Sequence, residues 1–73
     1  MKKTPRSRMS AAARRTQILD ITRQLVVSDG FSVVTIERVA KECGITRTLI
    51  YQQFGSLSAM LVLMVDRELQ NAS

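Results

Sequence analysis

The sequence contains no histidine, one cysteine and three glycines that stand apart from one another. Histidine is the commonest general base and the commonest metal ligand, so its absence weighs against acid–base catalysis and against a zinc site. A single cysteine excludes an internal disulfide, and isolated glycines do not form a phosphate-binding loop. These absences predict a protein that is not an enzyme and that uses no metal or other cofactor.

Long apolar runs are also missing. No stretch approaches the ~18 consecutive apolar residues of a transmembrane helix. The basic N-terminus passes into "SAAARRTQILD", which returns to charge at once instead of forming the apolar centre of a signal peptide. A length of 73 residues corresponds to one small domain. We therefore expect a cytoplasmic protein with no membrane partner, a setting that a single unpaired cysteine also fits.

The charge of the chain is +5, from 11 basic and 6 acidic residues. A basic balance in a small domain favours a polyanionic partner, either nucleic acid or an anionic membrane. The first fifteen positions carry six basic residues and no acid: Lys2, Lys3, Arg6, Arg8, Arg14 and Arg15. Residues 1–13 are predicted to be a basic, flexible arm, and residues 14–73 one folded domain. The arm is expected either to follow DNA or to remain a solvated tail.

Apolar spacing predicts four helices, over about residues 10–28, 35–43, 46–54 and 56–70. In the first, Ile18, Ile21, Thr22 and Leu25 repeat at the spacing of one helix face. Each glycine lies just past such a segment, where the end of a helix favours a residue with positive φ. The stretch "FSVVTI" is short and runs into a helix cap, so it is interpreted as an extended connection. The predicted fold class is all-α, a small helical bundle.

The second and third predicted helices form a helix-turn-helix over about residues 35–54. Thr35 and Thr46 are good N-caps, and apolar residues flank each cap at the spacing of a hydrophobic staple. The short turn at Gly44 joins the two helices at a steep angle. The sequence therefore predicts that the third helix is held rigidly across the second.

The third helix has two different faces on a helical wheel. The polar face consists of Arg47, Thr48, Tyr51 and Gln52, and the apolar face of Leu49, Ile50 and Phe54. One cation, three hydrogen-bonding groups and no acid suit the major groove of DNA, where Arg can pair with guanine and Gln with adenine. A solvated face or a protein contact remains the alternative at this point.

The stretch "AMLVLMV", residues 59–65, is apolar on every side. A helix of this kind is buried all round. Three short helices can cover one of its sides, so we expect the other side to meet a further domain or a second copy. The alternative function is an interaction module in which the basic arm and this helix bind a protein or a membrane surface.

The helix-turn-helix segment "TIERVAKECGITRTLIYQQF" resembles that of the tetracycline-repressor (TetR) family of bacterial transcription regulators. The shared features are Thr35, Val39, Ala40, Gly44, Ile45, Thr46, Leu49, Ile50, Tyr51 and Phe54. Upstream, "RRTQILDITRQLVVSDGF" resembles the first helix of that family. The resemblance covers about residues 14–66 and implies a homeodomain-like head that binds double-stranded DNA sequence-specifically.

The resemblance also implies a repressor that leaves a palindromic operator when a small ligand binds a larger C-terminal domain. That domain forms the homodimer in the family. These 73 residues contain none of it, so the chain is expected to be the DNA-binding head alone. The expected location is the bacterial cytoplasm, in association with the nucleoid.

Carried onto this sequence, the resemblance implies seven DNA-contacting residues: Thr35, Thr46, Arg47, Thr48, Tyr51, Gln52 and Gln53. Ser56 is predicted as an eighth, at a position where the sequence departs from the family. Arg14 and Arg15 are added as contacts at the base of the arm. The wheel places Gln53 on the inner side of its helix, against the resemblance. The family usually has a phosphate-binding lysine where this chain has Leu57. We expect that contact either to be lost or to be made by the Ser56 hydroxyl and the backbone N–H groups at the start of the fourth helix.

Overall fold

The computed structural model describes residues 10–72 and contains four α-helices in that range. They are α1 (Ala11–Asp29), α2 (Ile36–Cys43), α3 (Arg47–Phe54) and α4 (Leu57–Ala72), with one 3₁₀ turn, Phe31–Val33, between α1 and α2. Residues 10–72 contain no strand, which confirms the predicted all-α class. Residues 11–13 of the predicted arm are helical, and its basic residues Lys2, Lys3, Arg6 and Arg8 lie outside the described residues.

A hydroxyl residue caps the start of each of the four helices. The predicted helix starts lie within one residue of the observed ones. The side chains of Ser10, Thr35, Thr46 and Ser56 each accept a hydrogen bond from the backbone N–H three residues further on, at 3.0–3.3 Å. Such a cap satisfies a backbone donor that has no partner inside its own helix. The capped starts of α2 and α3 place both helix N-termini at defined points of the surface.

The turn between α2 and α3 is built around Gly44, which adopts the left-handed conformation (φ 72°, ψ 33°). The N–H of Gly44 donates to Lys41 O at 3.2 Å, and the N–H of Ile45 donates to Ala40 O at 3.0 Å. These two bonds form a Schellman motif, which satisfies carbonyls that the helix end leaves without partners. The turn therefore ends α2 and starts α3 within a few residues.

The core is formed where α1 crosses the other three helices. Its buried apolar residues are Ile18, Leu19, Leu25, Val34, Ile36, Val39, Ala40, Ile50, Met60 and Met64. Thr22 of α1 is the buried polar residue of this region; its hydroxyl donates to Ile18 O at 2.7 Å and lies 3.6 Å from Met60 Sδ. A buried hydroxyl without a partner would be costly, so the backbone bond lets Thr22 occupy the core beside α4.

Ion pairs join α1 to α4 around this contact. Arg23 pairs with Glu68 at 2.9 Å, and Arg67 pairs with Asp20 at 2.8 Å. α3 and α4 meet at an angle of 64° across a two-residue break. Between residues 10 and 72 no single helix is long and apolar enough to cross a membrane, although the bent pair α3 and α4 would meet that length and composition if taken together.

Three local expectations differ from the structure. Leu49, which the wheel placed in the core, is 37% exposed. The buried side of α3 is centred on Ile50, so Leu49 lies at its edge. The glycine followed by an aromatic residue at the end of α1 predicts that Phe31 folds back on the last turn of that helix, but Phe31 is 54% exposed. The predicted extended connection begins with the 3₁₀ turn, closed by a 3.1 Å bond from Val34 N–H to Phe31 O, and only then becomes extended.

Candidate nucleic-acid interface

The starts of α2, α3 and α4 surround a surface groove of about 260 Å³. The groove is lined by Thr35, Ile36, Glu37, Arg47, Tyr51 and Leu57. Three of the predicted contact residues are thus neighbours in space, although up to sixteen positions separate them in sequence. The capped starts of both helices of the helix-turn-helix lie beside this groove, so the positive ends of two helix dipoles are near it.

The polar face of α3 points outward. Arg47, Thr48, Tyr51 and Gln52 are exposed, and Ile50 beneath them has no exposed surface. Because Ile50 is locked into the core, the polar side chains of this two-turn helix have a fixed direction relative to α1 and α2. The structure therefore agrees with the wheel on which side of α3 is available to a partner.

Arg47 makes an ion pair that links the two helices of the helix-turn-helix. Its Nη1 lies 3.0 Å from Oε2 of Glu37 in the first turn of α2. The two side chains are 62% and 74% exposed. The sequence did not predict this pairing, because it depends on how α3 crosses α2 and no local pattern in the sequence reports that crossing.

Gln53 has a tertiary role that explains the conflict between wheel and resemblance. It is partly buried, and its Nε2 donates to the backbone carbonyl of Ala11 at 3.2 Å. Beside it, the Arg15 guanidinium lies 5.1 Å from the centre of the Phe54 ring, a distance at which a cation is attracted to an aromatic face. The end of α3 is thus fixed to the start of α1.

The two predicted arm contacts differ in their surroundings. Arg15 is half-buried against Phe54, while Arg14 donates from Nη1 to Gln17 Oε1 at 3.1 Å within α1. Both lie in the first turns of α1, which the Gln53 bond holds next to the end of α3. The charge of Arg15 therefore stands at the opposite end of α3 from Arg47, while Arg14 is close enough to Cys43 at the end of α2 to act on its thiol.

Ser56 is exposed and caps α4 through Ala59 N–H. Leu57 follows it, half-buried at the edge of the groove. Because the first backbone N–H groups of a helix have no partner within it, this end of α4 presents donors beside Arg47 and Tyr51. The use of these donors for a DNA contact, where the resemblance implies a lysine, stays a prediction.

The chain was compared with known proteins. A model of the bacterial regulatory proteins of the tetR family matches residues 18–64. The HTH-type transcriptional regulator AlkX of Mycobacterium tuberculosis is 38% identical over 56 residues, which cover 77% of this chain and 26% of AlkX. No solved structure matches the chain.

The chain belongs to the tetR family. The family match begins at the buried Ile18 of α1 and ends at the buried Met64 of α4. It therefore includes the whole helix-turn-helix and the groove described above. The chain spans about a quarter of the length of AlkX.

α4 has a buried inner side and an exposed outer side, and both are apolar. Met60 and Met64 face the core, whereas Val62 and Leu69 are 65% and 68% exposed. An open groove of about 370 Å³ runs along this face, lined by Leu61, Val62, Val65, Asp66 and Leu69. The expectation that the described helices cover only one side of α4 is confirmed.

Cys43 lies at the end of α2, away from the groove, and is half-buried. Burial raises the pKa of its thiol, an effect that nearby Arg14 opposes and Glu42 reinforces. A thiol with a raised pKa is a poor nucleophile. Within residues 10–72 no three His, Cys, Asp or Glu side chains are grouped to hold a metal ion.

Proposed function

We propose that this chain is the DNA-binding head of a transcription regulator and that it recognises a specific double-stranded sequence through α3. The observation that carries the proposal is the orientation of α3. Its arginine, hydroxyl and amide groups are exposed on one face while Ile50 anchors the opposite face in the core. A helix of this kind, held across another by a short turn, fits the major groove of B-DNA.

Within this proposal the exposed residues of α3 and of the helix starts make two kinds of contact, one with bases and one with phosphates. Arg47 and Gln52 read bases, Arg47 by two hydrogen bonds to guanine and Gln52 by pairing with adenine, while Thr48 packs on a thymine methyl. Tyr51, Thr35, Thr46 and Ser56 contact phosphates together with the backbone N–H groups at the starts of α2, α3 and α4. These contacts set the register in which α3 meets the bases.

Gln53 and Arg15 at the far end of α3, together with Arg14 on α1, form a second contact region. Because Gln53 is bonded to Ala11, its role in DNA binding is to hold the start of α1 beside α3. Arg14 and Arg15 then bring positive charge to the backbone, and the basic residues before Ser10 extend the same charge along the duplex. The contact with Phe54 limits how far the Arg15 guanidinium can extend toward the DNA backbone.

We further propose that the regulator is a cytoplasmic repressor that works as a homodimer on a palindromic operator and is released by a small effector. Two heads related by a twofold axis would bind half-sites one helical turn apart. The outer face of α4, with Val62 and Leu69 exposed, is where the dimerising and effector-binding domain would pack. The family membership of the chain supports this part of the proposal.

Membrane attachment is the alternative function, and the structure gives it less support. A helix that lies on a membrane carries its lysines and arginines beside its apolar face. The charged residues of α4 are Asp66, Arg67 and Glu68, two acids and one arginine, and Arg67 is paired with Asp20 of α1. The exposed apolar face of α4 therefore lacks the basic border that an anionic membrane requires.

The test is selection of bound fragments from a randomised duplex pool, followed by fluorescence anisotropy with the selected duplex. Arg47→Ala should weaken binding by about 1–3 kcal/mol and relax the preference at one base pair. Arg23→Ala removes the same charge from α1, outside the groove, and should leave every base preference unchanged. A wild-type chain that enriches no sequence would contradict the proposal.

A further inference from the structure

We propose that Glu37 is a specificity-determining residue that reserves Arg47 for a base contact, an inference that rests on the proposed function. The pair joins α2 to α3 at 3.0 Å and lies on the groove surface. Both partners are more than half exposed, and ion pairs of that exposure contribute little to stability. The main effect of the pair is therefore to fix the position of the Arg47 guanidinium.

The geometry of the pair leaves the useful edge of Arg47 available. Glu37 accepts from Nη1, and the described residues offer the guanidinium no other polar partner. Guanidinium carries five N–H donors in a rigid fork, so the Nε and Nη2 side can still donate to guanine O6 and N7. Anchoring through Glu37 also reduces the conformational freedom that a long side chain loses on binding.

The charge of Glu37 acts on the choice between base and phosphate. Glu37 is the acid among the residues that line the groove. Its carboxylate repels a phosphate that Arg47 would otherwise approach, whereas the guanine edge has no net charge and is repelled less. Phosphate contacts supply sequence-independent affinity. Glu37 therefore lowers the affinity for any duplex and increases the fraction of the Arg47 contact that depends on sequence.

The experiment compares Glu37→Gln with Glu42→Gln, using duplexes selected from a randomised pool by the wild-type chain. Both substitutions remove one negative charge from an exposed glutamate of α2, and Glu42 is paired with Arg38 outside the groove. Glu37→Ala is measured beside them, since an introduced glutamine could itself pair with adenine. Circular dichroism verifies that each variant is folded.

We expect both Glu37 variants to bind a random duplex several-fold more tightly. We also expect the ratio of affinities for the selected base pair and for other base pairs at the Arg47 position to fall by about five- to tenfold. A bidentate contact provides a ratio of roughly 5 to 150. Glu42→Gln should keep the wild-type discrimination. In an Arg47→Ala background, Glu37→Ala should change no base preference further.

Unchanged discrimination in both Glu37 variants would overturn the inference while leaving the proposed function intact. An equal loss in Glu42→Gln would overturn it as well, because the effect would then be one of total charge. A further loss of base preference from Glu37→Ala in the Arg47→Ala background would show that Glu37 acts independently of Arg47. If the wild-type chain enriches no sequence, the proposed function fails first and the inference fails with it.

Discussion

Replacing Gly44 by alanine isolates the conformational demand of the turn between α2 and α3. An alanine Cβ at this position would meet no atom within 4 Å, so a steric clash contributes nothing to the expected effect. The backbone has φ 72° and ψ 33°, a conformation that costs a residue with a Cβ about 1–2 kcal/mol. Alanine also restricts the unfolded chain, which offsets roughly 0.4–1 kcal/mol of that loss. The net destabilisation should be about 1 kcal/mol.

Urea denaturation followed by circular dichroism at 222 nm measures this effect. A small domain has an m-value of roughly 1 kcal/mol per M of urea, so the midpoint should fall by about 1 M. The melting temperature should fall by roughly 4–8 °C. Gly44→Asn is the matched variant, because asparagine tolerates the left-handed conformation better than alanine does, and it should lose about half as much.

A midpoint for Gly44→Ala equal to that of the wild type would refute this reasoning. It would mean that the end of α2 relaxes into another conformation at no cost. The Schellman bonds from Gly44 and Ile45 would then not determine the direction in which α3 leaves the turn. Equal losses for alanine and asparagine would also contradict it, since the effect would no longer follow tolerance of the left-handed conformation.

Three further predictions concern single features. Thr46→Ala removes the 3.3 Å cap at Leu49 N–H and should lower the free energy of unfolding by about 0.5–2 kcal/mol, whereas Thr46→Ser should keep most of it; equal urea midpoints for both would contradict the cap. DNA affinity should fall steeply with salt, by about 0.9 log unit per log unit of salt for each phosphate neutralised, and a salt-independent affinity would exclude a backbone contact. Burial raises the pKa of the Cys43 thiol, so the folded chain binds this proton more tightly than the unfolded chain does. The resulting stabilisation is fully present below the pKa of the unfolded thiol and is lost as the pH rises through the pKa of the folded thiol. Iodoacetamide should therefore modify Cys43 more slowly in the folded chain than in urea near about pH 8.5, and equal rates would show that the thiol is not protected.

The helices and their starts were predictable because the signals for them are local. Thr35 and Thr46 act as caps through atoms three residues away, and Gly44 ends α2 through bonds within the same turn. The exposed face of α3 was also predictable, since a wheel needs only the helical period. The buried Ile50 confirms which side faces the core.

What the sequence did not predict depends on how helices cross. The pairing of Arg47 with Glu37 and the bond from Gln53 to Ala11 join residues that lie 10 and 42 positions apart. Leu49 was misplaced because a wheel treats every apolar residue as buried, whereas a two-turn helix has a contact area centred on one residue. The role of each contact residue in DNA binding remains a prediction.

We propose that DNA binds the surface formed by α3 and the start of α2. The most direct measurement is a titration of the ¹⁵N-labelled chain with a duplex selected from a random pool, followed by amide NMR shifts. We expect the largest shifts at residues 35–37 and 46–53, and we expect the amides of Val62 and Leu69 on the outer face of α4 to stay unchanged. Shifts concentrated on α4, with α3 unaffected, would contradict it.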